Sequence, residues 1–135
     1  GDEIHGYGSE LRRWKDTYEW RENHGPDGGV KMTASDLAKW MRSLFSPEGQ
    51  LAEVGSLMTE NPLRHEERKQ QGLGVEILES RQGTLVYGHT GGLWGYLSAA
   101  FYLPGNDTVL VLYMNRSNTD VFQSTLSKLL WILTT

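Results

Sequence analysis

Apolar residues recur at helical intervals in the first third of the chain. They follow Thr33 and Asp36, whose Thr-x-x-Asp spacing is close to that of a capping box. The apolar positions of this segment are Leu37, Trp40, Met41, Leu44 and Phe45. The spacing i, i+3, i+4, i+7, i+8 predicts an amphipathic helix over 34–45, which the following Ser-Pro pair ends at Pro47.

Two further helices are predicted by the same criteria. A short helix is expected over 50–58, because an Asn-Pro pair ending at Pro62 stops it soon afterwards. The last helix is predicted to begin at Asp120, with Asn118 and Thr119 as candidate caps. Its apolar face is formed by Phe122, Leu126, Leu129, Leu130 and Leu133.

The second half of the chain has the residue types and spacing of strands. Four strands are predicted, over 74–78, 84–89, 96–103 and 108–114. Turn-forming residues at 80–83 and 104–107 favour short hairpins, so neighbouring strands should be antiparallel. Both alternating faces are apolar along 109–114, which is typical of a strand covered on both sides. The order of elements predicts an α+β fold, an antiparallel meander flanked by helices.

Two stretches lack a periodic pattern. Residues 1–25 are polar and glycine-rich, with charges of both signs, and we expect them to be irregular. The mixed charges over 64–71 predict a solvated surface segment.

The predicted helices are too few for the predicted sheet. A sheet that is apolar on both faces needs a covering layer on each face. Only two of the predicted helices, the first and the last, have a clear apolar face, which is too few to cover both faces. We therefore expect another part of the fold to lie outside this chain. The apolar surface left uncovered predicts self-association of the isolated chain.

Composition excludes several functional classes. The chain has 135 residues, 38% of them hydrophobic and 22% charged, as expected of one globular domain. A net charge of −4 gives no general attraction to nucleic acid, and no apolar run reaches the ~18 residues of a membrane span. Without cysteine the chain cannot form a disulfide or a thiolate zinc site, and its four scattered histidines make no metal motif. No cofactor is expected.

Candidate chemistry is concentrated between the second and third predicted strands. Residues 87–96 read Tyr-Gly-His-Thr-Gly-Gly-Leu-Trp-Gly-Tyr. Glycines at strand ends mark a bend, or a place where another molecule approaches the backbone closely. His89 and Thr90 are therefore candidate site residues, and the structural alternative is a histidine bonded only to a neighbouring strand.

His89-Thr90-Gly91 resembles the third motif, K-T-G in its histidine form, of the penicillin-recognising serine hydrolases. That family includes class C β-lactamases, D-alanyl-D-alanine carboxypeptidases and related esterases. Gly28-Gly29-Val30 and the Thr-Ala-Ser-Asp-Leu-Ala sequence of 33–38 resemble the helix entry of the family, and 95–115 resembles its last strands. The resemblance covers residues 26–135 and implies that 1–135 is the C-terminal part of a single β-lactamase-like domain.

The resemblance implies a role for each residue of the stretch. His89 takes the place of the motif lysine, Thr90 offers a hydroxyl to a substrate carboxylate, and the Gly92 amide is an oxyanion donor beside the motif glycine Gly91. Histidine titrates near neutrality and lysine does not, so this form of the motif should be more sensitive to pH. Because consecutive strand residues point to opposite faces, His89 and Thr90 reach one cleft only at a sheet edge or a bend.

The nucleophile of such an enzyme is not found in these residues. No serine has a lysine three positions later; Thr125 and Lys128 have the spacing but carry threonine. Tyr113-Met114-Asn115 has the letters of the family's second motif but falls at the end of a predicted core strand. We therefore expect this chain alone to be inactive, with Ser-x-x-Lys and the first half of the fold on a segment outside it.

The resemblance leaves several functions open. Acyl transfer through an acyl-serine can act on a β-lactam, a peptidoglycan-type D-alanyl peptide or a simple ester. The family implies an extracytoplasmic location in bacteria, with a cytoplasmic esterase as the other possibility. The alternative function is a non-catalytic binding or interaction module of the same fold.

Overall fold

The computed structural model describes residues 4–10, 13–17, 28–93 and 95–135. The helices in this part are α1 (Ala34–Phe45), α2 (Ala52–Thr59) and α3 (Thr119–Thr134). The strands are β1 (Tyr7–Glu10), β2 (Arg13–Asp16), β3 (Leu63–Glu66), β4 (Lys69–Gln71), β5 (Glu76–Glu79), β6 (Leu85–Leu93), β7 (Tyr96–Leu103) and β8 (Thr108–Met114).

The main sheet has six antiparallel strands in the sequential order β3-β4-β5-β6-β7-β8. This confirms the predicted α+β meander flanked by helices. The bounds of α1, β7 and β8 are those predicted from the sequence, whereas β6 continues to Leu93 instead of ending at His89. The predicted site stretch is therefore strand, and its connection to β7 is short.

Two stretches without a periodic pattern contain hairpins. The described side chains of 64–71 are exposed or half-buried, in line with the predicted solvated surface segment. The charged stretch 64–71 forms the hairpin β3–β4 at the outer edge of the sheet, where polar strands carry no apolar alternation. Within 1–25, predicted to be irregular, β1 and β2 form a second hairpin. Residues 1–3, 11–12 and 18–25 lie outside the described residues.

The sheet is covered on both faces near its β7–β8 end. On one face Phe122 and Leu126 of α3 pack with Val86, Ala99, Phe101 and Leu103. On the other face Met41, Leu37 and Phe45 of α1 pack with Tyr87, Ala100 and Tyr102. Phe101 and Tyr102 are at most 1% exposed, and burial of side chains of this size stabilises the fold by ~1.5–3 kcal/mol each.

Both covering helices begin at the caps that the sequence predicts. The Thr33 hydroxyl accepts a hydrogen bond from the Asp36 amide, and the Asn118 side chain accepts one from the Val121 amide. Thr33 also donates to the Asp36 carboxylate at 2.8 Å, and this bond, with Lys39 nearby, lowers the pKa of Asp36 below its usual value. The caps fix where each apolar helical face starts against the sheet.

Asp107 joins α1 to the β7–β8 turn. The Arg42 guanidinium donates to the Asp107 carboxylate and to its backbone carbonyl, with N–O distances of 2.7 to 3.1 Å. The buried Tyr102 hydroxyl donates to the same carboxylate at 3.0 Å. Burial, and next the Asp107 carboxylate, raise the pKa of Tyr102 above its usual value. Asp107 also has a left-handed φ of 49°, which aspartate and asparagine tolerate better than most residues.

The two neutral replacements of Asp107 should therefore differ. We expect Asp107→Ala to lower the free energy of unfolding by about 1–3 kcal/mol, because the Tyr102 hydroxyl loses its acceptor and alanine is strained at this φ. Asp107→Asn keeps an acceptor and the backbone preference, and the ion pair is half exposed, so the loss should stay under about 1 kcal/mol. Chemical denaturation measures both. Equal losses would show that the carboxylate charge, not the acceptor, joins the two elements.

The outer edge of β8 has no strand partner along Thr108–Met114 among the described residues. An uncharged strand with a free edge is a template for pairing with another chain. The expected self-association of the isolated chain is consistent with this edge and stays a prediction. In the described residues no helix has the length and apolar character needed to cross a membrane.

Candidate functional site

Strand β6 divides into two halves with different neighbours. On one side Leu85–Gly88 pairs with β5, and on the other side Tyr87–Leu93 pairs with β7. The chain turns away before Glu76, where the Val75 carbonyl accepts from the Gly72 amide at 2.8 Å and from the Gln71 side chain at 2.9 Å. Residues 89–93 therefore form a free edge within the described part of the sheet, and we call this stretch the open edge.

The register shows which backbone groups face the open edge. Leu93 and Tyr96 are opposite each other across a two-residue loop, so this pair must exchange both of its hydrogen bonds. Bonded and non-bonded pairs alternate along antiparallel strands. The pairs Gly92–Leu97 and Thr90–Ala99 are thus non-bonded, and the N–H and C=O groups of Gly92 and Thr90 point away from β7. These four backbone groups line the open edge.

The His89 ring folds over the same edge. Its Nδ1 contacts the Thr90 carbonyl oxygen, which can only accept, so Nδ1 carries the proton. In the neutral ring Nε2 then has a free lone pair, and it makes no hydrogen bond to the described residues. The His89 side chain is exposed. The one described partner of the ring therefore belongs to its own strand and not to a neighbouring one.

Thr90 and Gly91 lie on opposite faces of the sheet. Thr90 is opposite Ala99 on the α3 face, half buried, and its hydroxyl makes no hydrogen bond to the described residues. Gly91 is opposite Ser98 on the α1 face, where a Cβ would lie 2.6 Å from the Ser98 Oγ. The strand is at an edge here, which is the condition under which His89 and Thr90 were expected to reach one cleft.

The loop that closes the site is held by the N-terminal hairpin. Gly95, with a left-handed φ of 89°, is so close to this hairpin that a Cβ would lie 2.6 Å from the Tyr7 nitrogen. Tyr7 exchanges backbone hydrogen bonds of 2.9 Å with Asn115 and Ser117, and the Tyr96 hydroxyl donates to the Ile4 carbonyl at 2.9 Å. Residues predicted to be irregular thus fix the end of β6.

Other candidate residues have structural partners away from the site. The Thr125 hydroxyl donates to the Val121 carbonyl within α3, and the Asn115 amide donates to the His5 carbonyl at 3.0 Å. Neither residue is brought to the open edge. In the described part of the chain no three histidine or acidic side chains are close enough to hold a metal ion.

Sequence reasoning passed over one ion pair beside the site. Lys69 of β4 donates to Glu76 of β5 at 2.6 Å, and Glu76 lies directly opposite Gly88 of β6. The available signal was a single glutamate inside the apolar run 75–78, a position that strand alternation predicts to be buried.

A model of the Beta-lactamase family matches residues 2–132. The chain therefore belongs to the Beta-lactamase family. The match supports acyl transfer of the serine-hydrolase kind in general. No curated protein matches the chain.

The contact between His89 and Thr90 predicts a defined tautomer. We expect the neutral His89 ring to carry its proton on Nδ1, because a carbonyl oxygen holds that nitrogen as a donor. Long-range proton–nitrogen correlation spectra at alkaline pH distinguish the two tautomers, and His89→Gln identifies the resonances. A ring protonated on Nε2 would contradict this geometry and would remove the free acceptor from the edge.

Proposed function

We propose that this chain forms one wall of the active site of a serine hydrolase, with the open edge of β6 as that wall. One observation carries the proposal. The Thr90 and Gly92 amides point out of the sheet at the one stretch whose sequence resembles the family's third motif. Backbone donors that are fixed before reaction are the means by which such enzymes stabilise an oxyanion.

Each residue of the stretch has a distinct proposed role. The Gly92 N–H donates to the oxyanion that forms when the carbonyl is attacked. The Thr90 hydroxyl, which has no described partner, donates to a carboxylate of the substrate. His89 presents Nε2 as an acceptor when neutral and as a donor when protonated, so it can exchange a proton with a bound group. Gly91 allows the strand to lie close to Ser98.

The nucleophile is proposed to come from a segment outside these residues, on a Ser-x-x-Lys motif. Its Oγ would attack the substrate carbonyl, the leaving group would depart, and water would then release the acyl group. The finer assignment to class C β-lactamases or D-alanyl-D-alanine carboxypeptidases, with their extracytoplasmic location, is part of the proposal.

The geometry favours substrates that have a peptide-like backbone and a carboxylate. The outward amides of Thr90 and Gly92 and the Gly92 carbonyl lie in line with the Gly88 groups that pair with β5, so an extended amide can bind there as a strand would. The Thr90 hydroxyl would then bind the carboxylate of a β-lactam or D-alanyl peptide. A simple ester would use the oxyanion donor alone.

The isolated chain should form no covalent adduct with a penicillin, because it has no Ser-x-x-Lys. Intact mass after incubation with benzylpenicillin tests this. The positive control is a longer protein, called the longer product below, in which the proposed Ser-x-x-Lys segment precedes this chain. A stoichiometric adduct on any serine of these 135 residues would overturn the proposed origin of the nucleophile.

In the longer product, Gly92→Pro should lower the rate of ester hydrolysis roughly a hundred- to a thousandfold, the usual effect of losing one oxyanion donor. The Gly92 amide makes no bond to β7, so proline removes no ladder hydrogen bond and the fold should persist. Gly92→Ala keeps the amide; its φ is outside the left-handed region, and its Cβ would meet only the Leu97 side chain, at 3.3 Å.

Gly91→Pro is the matched structural control, because Gly91 forms a bonded pair with Ser98 and its replacement should lower the melting temperature. A folded Gly92→Pro protein that hydrolyses an activated ester at the wild-type rate would refute the proposed wall.

The second candidate, a non-catalytic binding module, is favoured by the lack of a nucleophile motif in these residues. The sequence of the segment joined to Gly1 in the gene separates the two functions. Ser-x-x-Lys there supports the hydrolase, and its absence supports the module.

A further inference from the structure

The ion pair between Lys69 and Glu76 is the most enclosed pair of opposite charges described in this structure. Their atoms are 2.6 Å apart, and the side chains of Lys69 and Glu76 are 29% and 12% exposed. The second carboxylate oxygen of Glu76 makes no described hydrogen bond. Such a carboxylate is costly to bury without its cation, so the two side chains act as one neutral unit.

The pair is on the same face of the sheet as Thr90. Glu76 is opposite Gly88, and Thr90 is the next residue of β6 on that face, diagonal to Glu76. Diagonal neighbours are ~7–8 Å apart, within reach of a long side chain. Glu76 is also the first residue of β5, where the open edge begins. Among the strand residues of β5 to β8 that share this face, it carries the one charge.

The electrostatic consequence depends on Lys69. A carboxylate bound at the Thr90 hydroxyl would lie near the negative charge of Glu76. With Lys69 in place the two charges of the pair largely cancel at that distance. Without Lys69 a half-enclosed negative charge would face the bound carboxylate, in surroundings where water screens it poorly.

We propose that Lys69 determines specificity at this site: by neutralising Glu76 it allows the Thr90 end of the open edge to accept a carboxylate group. This inference rests on the proposed function, because it assumes that a substrate carboxylate binds at Thr90. It adds a residue from a strand two places away that the motif does not contain. A purely structural ion pair would change stability but would treat charged and neutral ligands alike.

The test measures binding to the 135-residue chain itself. N-acetylglycine, which has a carboxylate, and its neutral analogue N-acetylglycinamide are titrated at low salt while the amide resonances of Thr90 and Gly92 are followed. The variants are Lys69→Met, Glu76→Gln and the double variant that carries both changes. The titrations are made at about pH 8, where the carboxyl group of N-acetylglycine is ionised.

We expect Lys69→Met to weaken binding of N-acetylglycine about tenfold, which corresponds to the repulsion between the uncompensated Glu76 charge and a carboxylate bound at Thr90. Glu76→Gln should strengthen it several-fold, and the double variant, which is neutral like the wild type, should return close to the wild-type affinity. Binding of the neutral analogue should be unchanged in all three, and added salt should reduce the differences.

Three results would overturn the inference. The first is equal weakening for the charged and neutral ligands, and the second is a double variant no better than Lys69→Met; either one marks a structural role. The third is no shift of Thr90 with N-acetylglycine in the wild type, which removes the carboxylate subsite. None of these affects the Gly92→Pro test, so failure here is distinguishable from failure of the proposed hydrolase.

Discussion

The site depends on a hydrogen-bond ladder that stops halfway along a strand. β5 pairs with β6 as far as Gly88, and then the turn that bonds Gly72 to Val75 takes the chain away. The backbone groups that would have continued the ladder, those of Thr90 and Gly92, are left pointing outward from a well-packed sheet. The Thr90 carbonyl accepts from the His89 ring, whereas the Thr90 amide and both groups of Gly92 have no described partner in the sheet. Buried backbone groups are nearly always paired, so unpaired groups at a sheet edge are available to a ligand.

The strands beside that edge are held by packing on both faces of the sheet. β7 and the first half of β6 pack between α1 on one face and α3 on the other, and the N-terminal hairpin holds the loop between β6 and β7 at Gly95. The proposed oxyanion donor would need little rearrangement on a strand whose neighbours are packed in this way. The same sheet leaves the far side of β8 unpaired among the described residues, as expected if further elements of the fold complete it.

The sequence was most informative where local pattern and tertiary role agree. The bounds of α1 followed from its cap and apolar spacing, and β7 and β8 from their apolar runs between turn residues. The hairpin β3–β4 was missed because an edge strand can be charged on both faces without penalty. The hairpin β1–β2 was missed because its contacts, such as Tyr7 with Asn115, join residues distant in the chain.

In the candidate site, too, the local sequence predicted some features and missed others. The motif letters located residues 89–92, but the direction of each amide depends on strand register, and the partner of Glu76 depends on which strand lies beside β5. Neither can be derived from local spacing, because both depend on the pairing of separate segments.

The two-residue loop between Leu93 and Tyr96 determines which residues of β6 form hydrogen bonds to β7 and which point away from it. The even-numbered residues of β6 present their backbone groups to β5 and then to the open edge, and the odd-numbered residues bond to β7. An insertion in this loop that moved the pairing by one residue would exchange the two sets. Gly92 would then be bonded within the sheet, and the edge would lose that donor although every motif residue was still present.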